Sequence, residues 1–215
     1  MIPRQQTAGL SGIVAGIALA VLTVLFFTSG ATPETFRDPG KALPFLTQNL
    51  GRIRTIALVS MVTLGFAVPF VAGLAAALRE RTPTRATAVL YFGLLGIAGH
   101  GIGTLLFWSA VPALARHAAT DQVAASHAWV ALNAVWGAMD GVGNFFIGLA
   151  ILLAGWAVAA SGIFSAALGW YGVIAGALVV LAVLAPGVGV LYMATFVLPV
   201  IWLLWAGNTL RQAAS

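Results

Sequence analysis

Long apolar segments separated by short polar stretches follow one another along the 215 residues of the chain. Each segment reaches the length of about 20 residues that a helix needs to cross a hydrocarbon core of about 30 Å. In lipid the backbone must satisfy its own hydrogen bonds, and a helix does so within one segment. The pattern therefore predicts an all-α, polytopic transmembrane bundle of about six helices, forming a single domain over residues 1–215. The predicted spans are residues 8–27, 56–78, 87–113, 127–157, 166–184 and 190–210.

The one long polar connection lies between the first and second predicted spans. Thr32-Pro33-Glu34 is typical of a helix start, and Asp38-Pro39-Gly40 is typical of a break. After Pro44, apolar residues recur at helical spacing opposite a set of polar residues. The apolar set is Leu46, Leu50 and Ile53, and the polar set is Thr47, Gln48, Asn49 and Arg52. This pattern predicts a short amphipathic helix that lies at the membrane surface before the second span.

The first thirty residues have some features of a secretory signal peptide. Arg4 precedes an apolar stretch, and small residues follow that stretch at Ser29, Gly30 and Ala31. The apolar stretch is too long for the central region of a signal peptide, however, and further spans follow it. We therefore interpret residues 8–27 as a retained first transmembrane helix.

Composition supports the membrane class and excludes several functions. Hydrophobic residues make up 61% of the chain and charged residues only 7%, which is too little charge to cover a soluble surface. The absence of cysteine excludes disulfides, thiolate nucleophiles and iron–sulfur ligation. The net charge of +5 does not form the dense basic face that nucleic-acid binding needs. The expected partners are therefore the lipid bilayer and other membrane protein subunits, with no nucleic acid.

The basic residues near the span ends bear on orientation. If the amino terminus is cytoplasmic, the inside set is Arg4, Arg79, Arg81, Arg85 and Arg211. The outside set is then Arg37, Lys41, Arg52, Arg54 and Arg116, which gives equal numbers. The turn from Arg79 to Arg85 is the strongest local signal, and cytoplasmic loops are enriched in such residues. We therefore expect both termini to be cytoplasmic.

Asp140 is the one carboxylate predicted to lie deep in an apolar span. Helical spacing places polar and small residues on its face of the fourth span, and this face is expected to point into the bundle. They are Asn133, Gly137, Asp140, Gly141, Asn144 and Gly148. The third span offers a similar face, formed by Gly93, Gly96, His100, Gly103 and Thr104. Counted from the predicted span starts, His100 and Asp140 differ in depth by roughly 10 Å. This count favours a water between them, with Asn133 closer in height to His100.

Two interpretations of Asp140 remain open. As a functional group, Asp140 binds a proton, a cation or the polar part of a ligand, together with His100, Asn133 and Asn144. As a structural group, it is protonated or bonded to asparagine and holds the third and fourth helices together. Haem ligation by His100 lacks a second histidine at the same depth, because His117 and His127 lie in or beside a polar connection. No metal site and no cofactor are predicted.

Small residues at helical spacing predict close helix contacts. The candidates for helix packing are Gly12, Gly16, Gly96, Gly103, Gly137, Gly141 and Gly148. No nucleotide-binding loop, metalloprotease helix or nucleophile elbow is present, so no catalytic residue is assigned and an enzyme is not expected.

The fourth and fifth spans resemble a known sequence pattern. In it, a helix rich in small and aromatic residues is followed by a turn of the type Ser-Gly-hydrophobic-Phe-Pro and by a Leu-Gly pair that opens the next helix. The corresponding residues are 143–149, 160–164 and 168–169, and residues 7–9 and 202–207 are also similar. The chain thus resembles the family catalogued as domain of unknown function 4386, although Ser165 stands where the family often has proline. The resemblance implies six helices in a bacterial inner membrane, and it implies no activity.

Two hypotheses of function follow. In the first, the protein is non-enzymatic and acts through helix contacts as an accessory or assembly subunit of a larger membrane complex. In the second, it is a small carrier or sensor that binds a proton, a cation or an apolar ligand near Asp140. Several titratable groups at one depth would favour the second hypothesis. Because the sequence indicates essentially one such group, it favours the first.

Overall fold

The computed structural model describes residues 2–30, 32–185 and 188–213, and over these ranges the chain is helical with no strand. The helices are α1 (Ile2–Phe27), α2 (Pro33–Arg37), α3 (Pro39–Gln48), α4 (Leu50–Leu78), α5 (Pro83–Ala118), α6 (Gln122–Ser161), α7 (Ala166–Leu184) and α8 (Gly189–Gln212). Six of them, α1 and α4 to α8, are long and apolar enough to cross a membrane. This confirms the predicted all-α, multi-pass fold class. Arg4 and Pro33 lie outside the residues whose side chains are described.

The six long helices form a closed ring. Each packs on the next in the order α1, α4, α5, α6, α7 and α8, and α8 returns to α1. An apolar core fills the end of the ring that holds both termini, and it draws residues from all six helices. The largest of its fully buried members are Trp202, Phe70, Leu78, Leu168 and Leu210, each at most 2% exposed. This end of the bundle is therefore the most tightly packed part of the protein.

Local capping explains two of the turns. At the end of α6, Gly162 adopts a left-handed backbone with φ of 65°, a conformation that glycine accepts without steric cost. The Ser165 hydroxyl accepts a hydrogen bond from the Leu168 amide and starts α7. At the other end of the ring, the Asp121 carboxylate accepts a hydrogen bond from the Ala124 amide and starts α6. As a result, the α5–α6 turn occupies only residues 119–121.

The polar connection contains two short helices: α2 begins after Thr32, where the sequence predicts a helix start, and α3 begins after Asp38, where it predicts a break. Thr32 caps α2, and the Asp38 carboxylate caps α3 by accepting a hydrogen bond from the Gly40 amide. Helix α3 begins at Pro39 and ends at Gln48, where the backbone N–H of Asn49 donates a hydrogen bond to the oxygen of Phe45. Leu50 and Ile53 therefore belong to α4, which corrects the predicted limits of the amphipathic helix.

The connection packs onto the α5–α6 hairpin. Leu43 and Leu46 of α3 are buried against a cluster that includes Val111 of α5 and Trp129 of α6. The Trp129 indole Nε1 donates a hydrogen bond of 3.0 Å to the backbone oxygen of Phe36. These contacts fix α2 and α3 at the end of the ring opposite the termini. A position at the membrane surface stays a prediction.

The long helices differ greatly in length. At a rise of about 1.5 Å per residue, α5 and α6 extend about 54 and 60 Å, because they have 36 and 40 residues. The 19 residues of α7 cover only about 28 Å. The α5–α6 hairpin consequently continues well past the end of α7. The predicted span limits and the single-domain assignment stay predictions.

Candidate functional site

The short turn between α5 and α6 sets which residues face each other. His100 lies 18 residues before Ala118, the last residue of α5, and Asp140 lies 18 residues after Gln122, the first residue of α6. In an antiparallel hairpin, equal distances from the turn place two residues at the same height. The predicted depth difference of roughly 10 Å is therefore wrong. That estimate counted from span starts on opposite sides of the membrane and did not include the turns of helix beyond each predicted span.

His100, Asp140 and Asn144 form one hydrogen-bonded cluster. Nδ1 of the His100 imidazole lies 3.0 Å from Oδ1 of Asp140, in direct contact and without an intervening water. The Asn144 amide Nδ2 donates a hydrogen bond of 3.0 Å to the other carboxylate oxygen, Oδ2. The side chains of His100 and Asp140 are 22% and 42% exposed. Both carboxylate oxygens therefore have partners, and the cluster remains accessible from one side.

Asn133 does not belong to this cluster. It lies on the same face of α6, seven residues before Asp140, which is about 10 Å along the helix axis. The expectation that Asn133 matches His100 in height is corrected by the same register. Three of the four predicted site residues thus come together, and the fourth lies two turns away.

Two glycines that the sequence analysis did not single out allow this contact. A Cβ atom at Gly143 would lie 2.9 Å from the Cγ and backbone nitrogen of His100. A Cβ atom at Gly99 would lie 3.1 Å from the Cα of Gly143. Because neither position has a side chain, α5 and α6 approach closely and the imidazole fits against the α6 backbone. The spacing of Gly96, Gly99 and Gly103 on one helical face was the available signal.

The predicted packing glycines of α5 and α6 fall into two groups. Gly96 and Gly103 face α6, and Gly148 faces α7, where a Cβ atom would lie 3.0 Å from the backbone nitrogen of Val180. Gly137 is exposed, and a Cβ atom there would have no neighbour within 4 Å. Gly141 has one neighbour, the Val183 side chain at 4.0 Å. Gly137 therefore makes no helix contact within the described part of the chain.

The remaining pair of predicted packing glycines lies on α1. A Cβ atom at Gly12 would lie 3.1 Å from the Cα of Gly207, and one at Gly16 would lie 2.8 Å from the Leu204 side chain. Both glycines therefore allow α1 to pack closely on α8, and Gly12 also makes room for the Phe70 ring of α4.

The end of α7 gives the height of the cluster in the bundle. Val183, next to the last residue of α7, lies beside Gly141, and so Asp140 is level with the end of that helix. A helix of about 28 Å crosses a hydrocarbon core of about 30 Å with no surplus length. The depth of Asp140 in a bilayer stays a prediction.

Within the described residues, no group of three or more histidine, cysteine, aspartate or glutamate side chains is placed to hold a metal ion. The cluster offers one imidazole, one carboxylate and one amide. These groups exchange a proton or bind a polar ligand by hydrogen bonds. The expectation of no metal and no cofactor stays a prediction.

Over the residues that the structure describes, the fold and the cluster define a multi-pass, helical membrane protein with a polar site between two long helices. The family model described as domain of unknown function 4386 matches residues 14–207, so the chain belongs to that family. This confirms the resemblance seen in the sequence. No curated protein and no solved structure matches the chain. The family description assigns no activity.

Proposed function

We propose that this membrane protein is a small, non-enzymatic proton sensor or carrier whose site is formed by His100, Asp140 and Asn144. The observation that carries the proposal is the direct contact between the His100 imidazole and the Asp140 carboxylate, 3.0 Å apart at one height of the bundle. Two titratable groups at one depth are the feature that separates the carrier or sensor hypothesis from the accessory-subunit hypothesis.

The surroundings of the pair support this role. Asn144 holds the second carboxylate oxygen, which fixes the orientation of the Asp140 side chain toward α5. Histidine changes charge within the physiological pH range, and a neighbouring carboxylate makes that change dependent on the distance between the two groups. Both side chains are partly exposed, which supports an exchange of protons between the pair and its surroundings. A change of protonation would thus alter the attraction between α5 and α6.

The first prediction is that His100 titrates and that the α5–α6 hairpin responds. In protein labelled with ¹⁵N-histidine, the His100 signal should change reversibly between about pH 5 and pH 8. The chain has three histidines, and the signal that disappears in His100→Gln identifies the residue. Spin labels at cysteines replacing the exposed Ile102 and Val135 should report a change of α5–α6 distance over the same range.

A His100 signal that stays constant over this range, or a distance that does not follow its titration, would overturn the proposal. The same distance measurement in His100→Gln is the control, and there the pH response should be absent. If His100 does not titrate, the hypothesis of an accessory or assembly subunit is favoured instead. That role stays a prediction.

We further propose a location in a bacterial inner membrane with both termini in the cytoplasm. Exposed Arg79 and Arg81, in the turn before α5, support this orientation, since arginine is enriched in short cytoplasmic loops. The native chain has no cysteine, so single introduced cysteines can be labelled without background.

The second prediction concerns the two ends of α5. A cysteine replacing Pro83 should react with a membrane-impermeant maleimide only after the membrane is opened. A cysteine replacing Ala119, at the opposite end of α5, should react in intact cells and is the matched control. The reverse labelling pattern would invert the proposed topology.

A further inference from the structure

The α4–α5 turn carries basic side chains whose charge is largely unpaired. Arg79 and Arg81 are exposed, and within the described part of the chain neither forms a salt bridge. Glu80 is the acidic residue of this turn, and the other four lie elsewhere in the chain. Three arginines between residues 79 and 85 thus meet a single carboxylate in this stretch. The turn has a net positive charge available for an anionic ligand.

Arg85 is held at the edge of this turn by an aromatic ring. Its guanidinium carbon lies 4.3 Å from the centroid of the Trp156 ring, on the neighbouring helix α6. A cation–π contact occupies the face of a guanidinium and leaves its N–H groups free to donate to an oxyanion. Trp156 is 51% exposed and lies five residues before the end of α6. Tryptophan near a helix end is typical of the membrane–water interface.

An apolar strip continues from this pair along the outside of α5 and α6. Phe92, two helical turns beyond Arg85, stacks on Phe146 of α6 with ring centroids 5.7 Å apart. Phe145 packs edge-on against Phe146 at 5.6 Å. All three rings are partly exposed. The surface thus combines free guanidinium donors at the interface with partly exposed aromatic rings toward the membrane interior.

We propose that Arg85, Trp156 and the adjacent Arg79 and Arg81 form a binding site for the phosphate group of an anionic phospholipid. The guanidinium groups bind the phosphate by charge-assisted hydrogen bonds, and the acyl chain lies along the aromatic strip. The apolar strip directly beneath the charged groups favours a lipid over a free phosphate ion. This site is separate from the His100–Asp140 cluster and does not depend on the proposed function.

The test is competition between two phospholipids for the full-length protein in detergent. The protein is incubated with equal amounts of phosphatidylglycerol and phosphatidylcholine of the same acyl chains, and the retained lipids are measured by native mass spectrometry. Wild type should retain phosphatidylglycerol preferentially. Arg85→Gln should lower the ratio of the two lipids about fivefold, since each arginine near an anionic group contributes about that factor.

Arg116→Gln is the matched control, because Arg116 is an exposed arginine at the other end of α5. This variant should retain phosphatidylglycerol and phosphatidylcholine in the same ratio as wild type. Arg81→Gln changes an exposed side chain and should also lower the ratio, so the proposal can be tested even if Arg85→Gln fails to fold. Equal retention of both lipids by wild type, or an equal loss in Arg116→Gln, would overturn the proposal. Added inorganic phosphate should leave the ratio unchanged, and displacement of the lipid by phosphate alone would overturn the lipid assignment.

Discussion

Gly176→Ala is expected to destabilise the protein by about 1–3 kcal/mol, the usual cost of overpacking a tight contact. Gly176 lies where α7 crosses α6. A Cβ atom there would meet the backbone nitrogen of Leu152 and would lie 2.6 Å from the backbone oxygen of Gly148. Because these are backbone atoms, no side-chain rotation relieves the clash. The two helices must separate, and the packing along their whole contact weakens.

The matched control is the same substitution at Gly137. This glycine is also within a long helix, but it is exposed and has no neighbour within 4 Å of a Cβ atom. Alanine is favoured over glycine in a helix by about 1 kcal/mol, so Gly137→Ala should unfold at the same temperature as wild type or higher. Thermal unfolding in detergent, followed by tryptophan fluorescence, compares the two variants. If they unfold at the same temperature, the close α6–α7 contact is not a determinant of stability.

Asp140→Leu is expected to be the second most damaging change. Leucine accepts no hydrogen bond, so the His100 imidazole and the Asn144 amide each lose the partner that they have in the native protein. A buried polar group left without its partner costs about 1–3 kcal/mol, and because these side chains are only partly buried, the lower end of that range is expected. Asp140→Asn retains an acceptor oxygen of similar shape and should express and fold like wild type. What it should lose is the pH response of the hairpin.

Expression level and thermal unfolding temperature measure this pair of variants. Val135→Leu places leucine at an exposed apolar position of the same helix and should behave like wild type, which controls for leucine on α6 itself. If Asp140→Leu and Asp140→Asn both express and respond to pH like wild type, the cluster has neither a structural nor a functional role. If Asp140→Leu alone fails and Asp140→Asn retains the pH response, the cluster is a structural link between α5 and α6.

The two substitutions separate the scaffold from the site. The Gly176 contact joins α6 to α7 and contains no titratable group, whereas the Asp140 contact joins α6 to α5 through titratable groups. In a proton sensor, the α6–α7 contact should stay rigid and the α5–α6 contact should change with protonation. Gly176→Ala should therefore lower the unfolding temperature, whereas Asp140→Asn should change only the pH response of the α5–α6 hairpin.

The number and class of the long helices could be predicted from sequence, because the bilayer imposes the same requirement on each apolar segment by itself. A run of about 20 apolar residues in lipid has to be helical whatever its neighbours are. The short helices α2 and α3 were less predictable, since their limits depend on single capping side chains. Thr32 begins α2 as the sequence indicates, but Asp38 begins α3 where the sequence indicates a break, and so the amphipathic helix starts and ends earlier than predicted.

The candidate site was also only partly predictable from sequence. Sequence alone singled out Asp140, His100 and Asn144, because polar groups on one face of an apolar helix have to find partners inside the protein. It did not give their register, and it placed Asn133 closer to His100. The register depends on where α5 ends at Ala118 and where α6 begins at Gln122, limits that the apolar pattern leaves undefined by several residues.

By itself, then, the sequence determined the membrane class, the six long helices, the family and the residue types available for a polar site. These properties depend on local composition and on the bilayer, and both act along a single segment. The tertiary structure alone decided that His100 contacts Asp140, that Gly99 and Gly143 make room for the imidazole, and that the cluster lies near the end of α7. These properties depend on the axial position of one helix relative to its neighbour. That position is set by the turns and by close contacts between segments that are distant in the sequence.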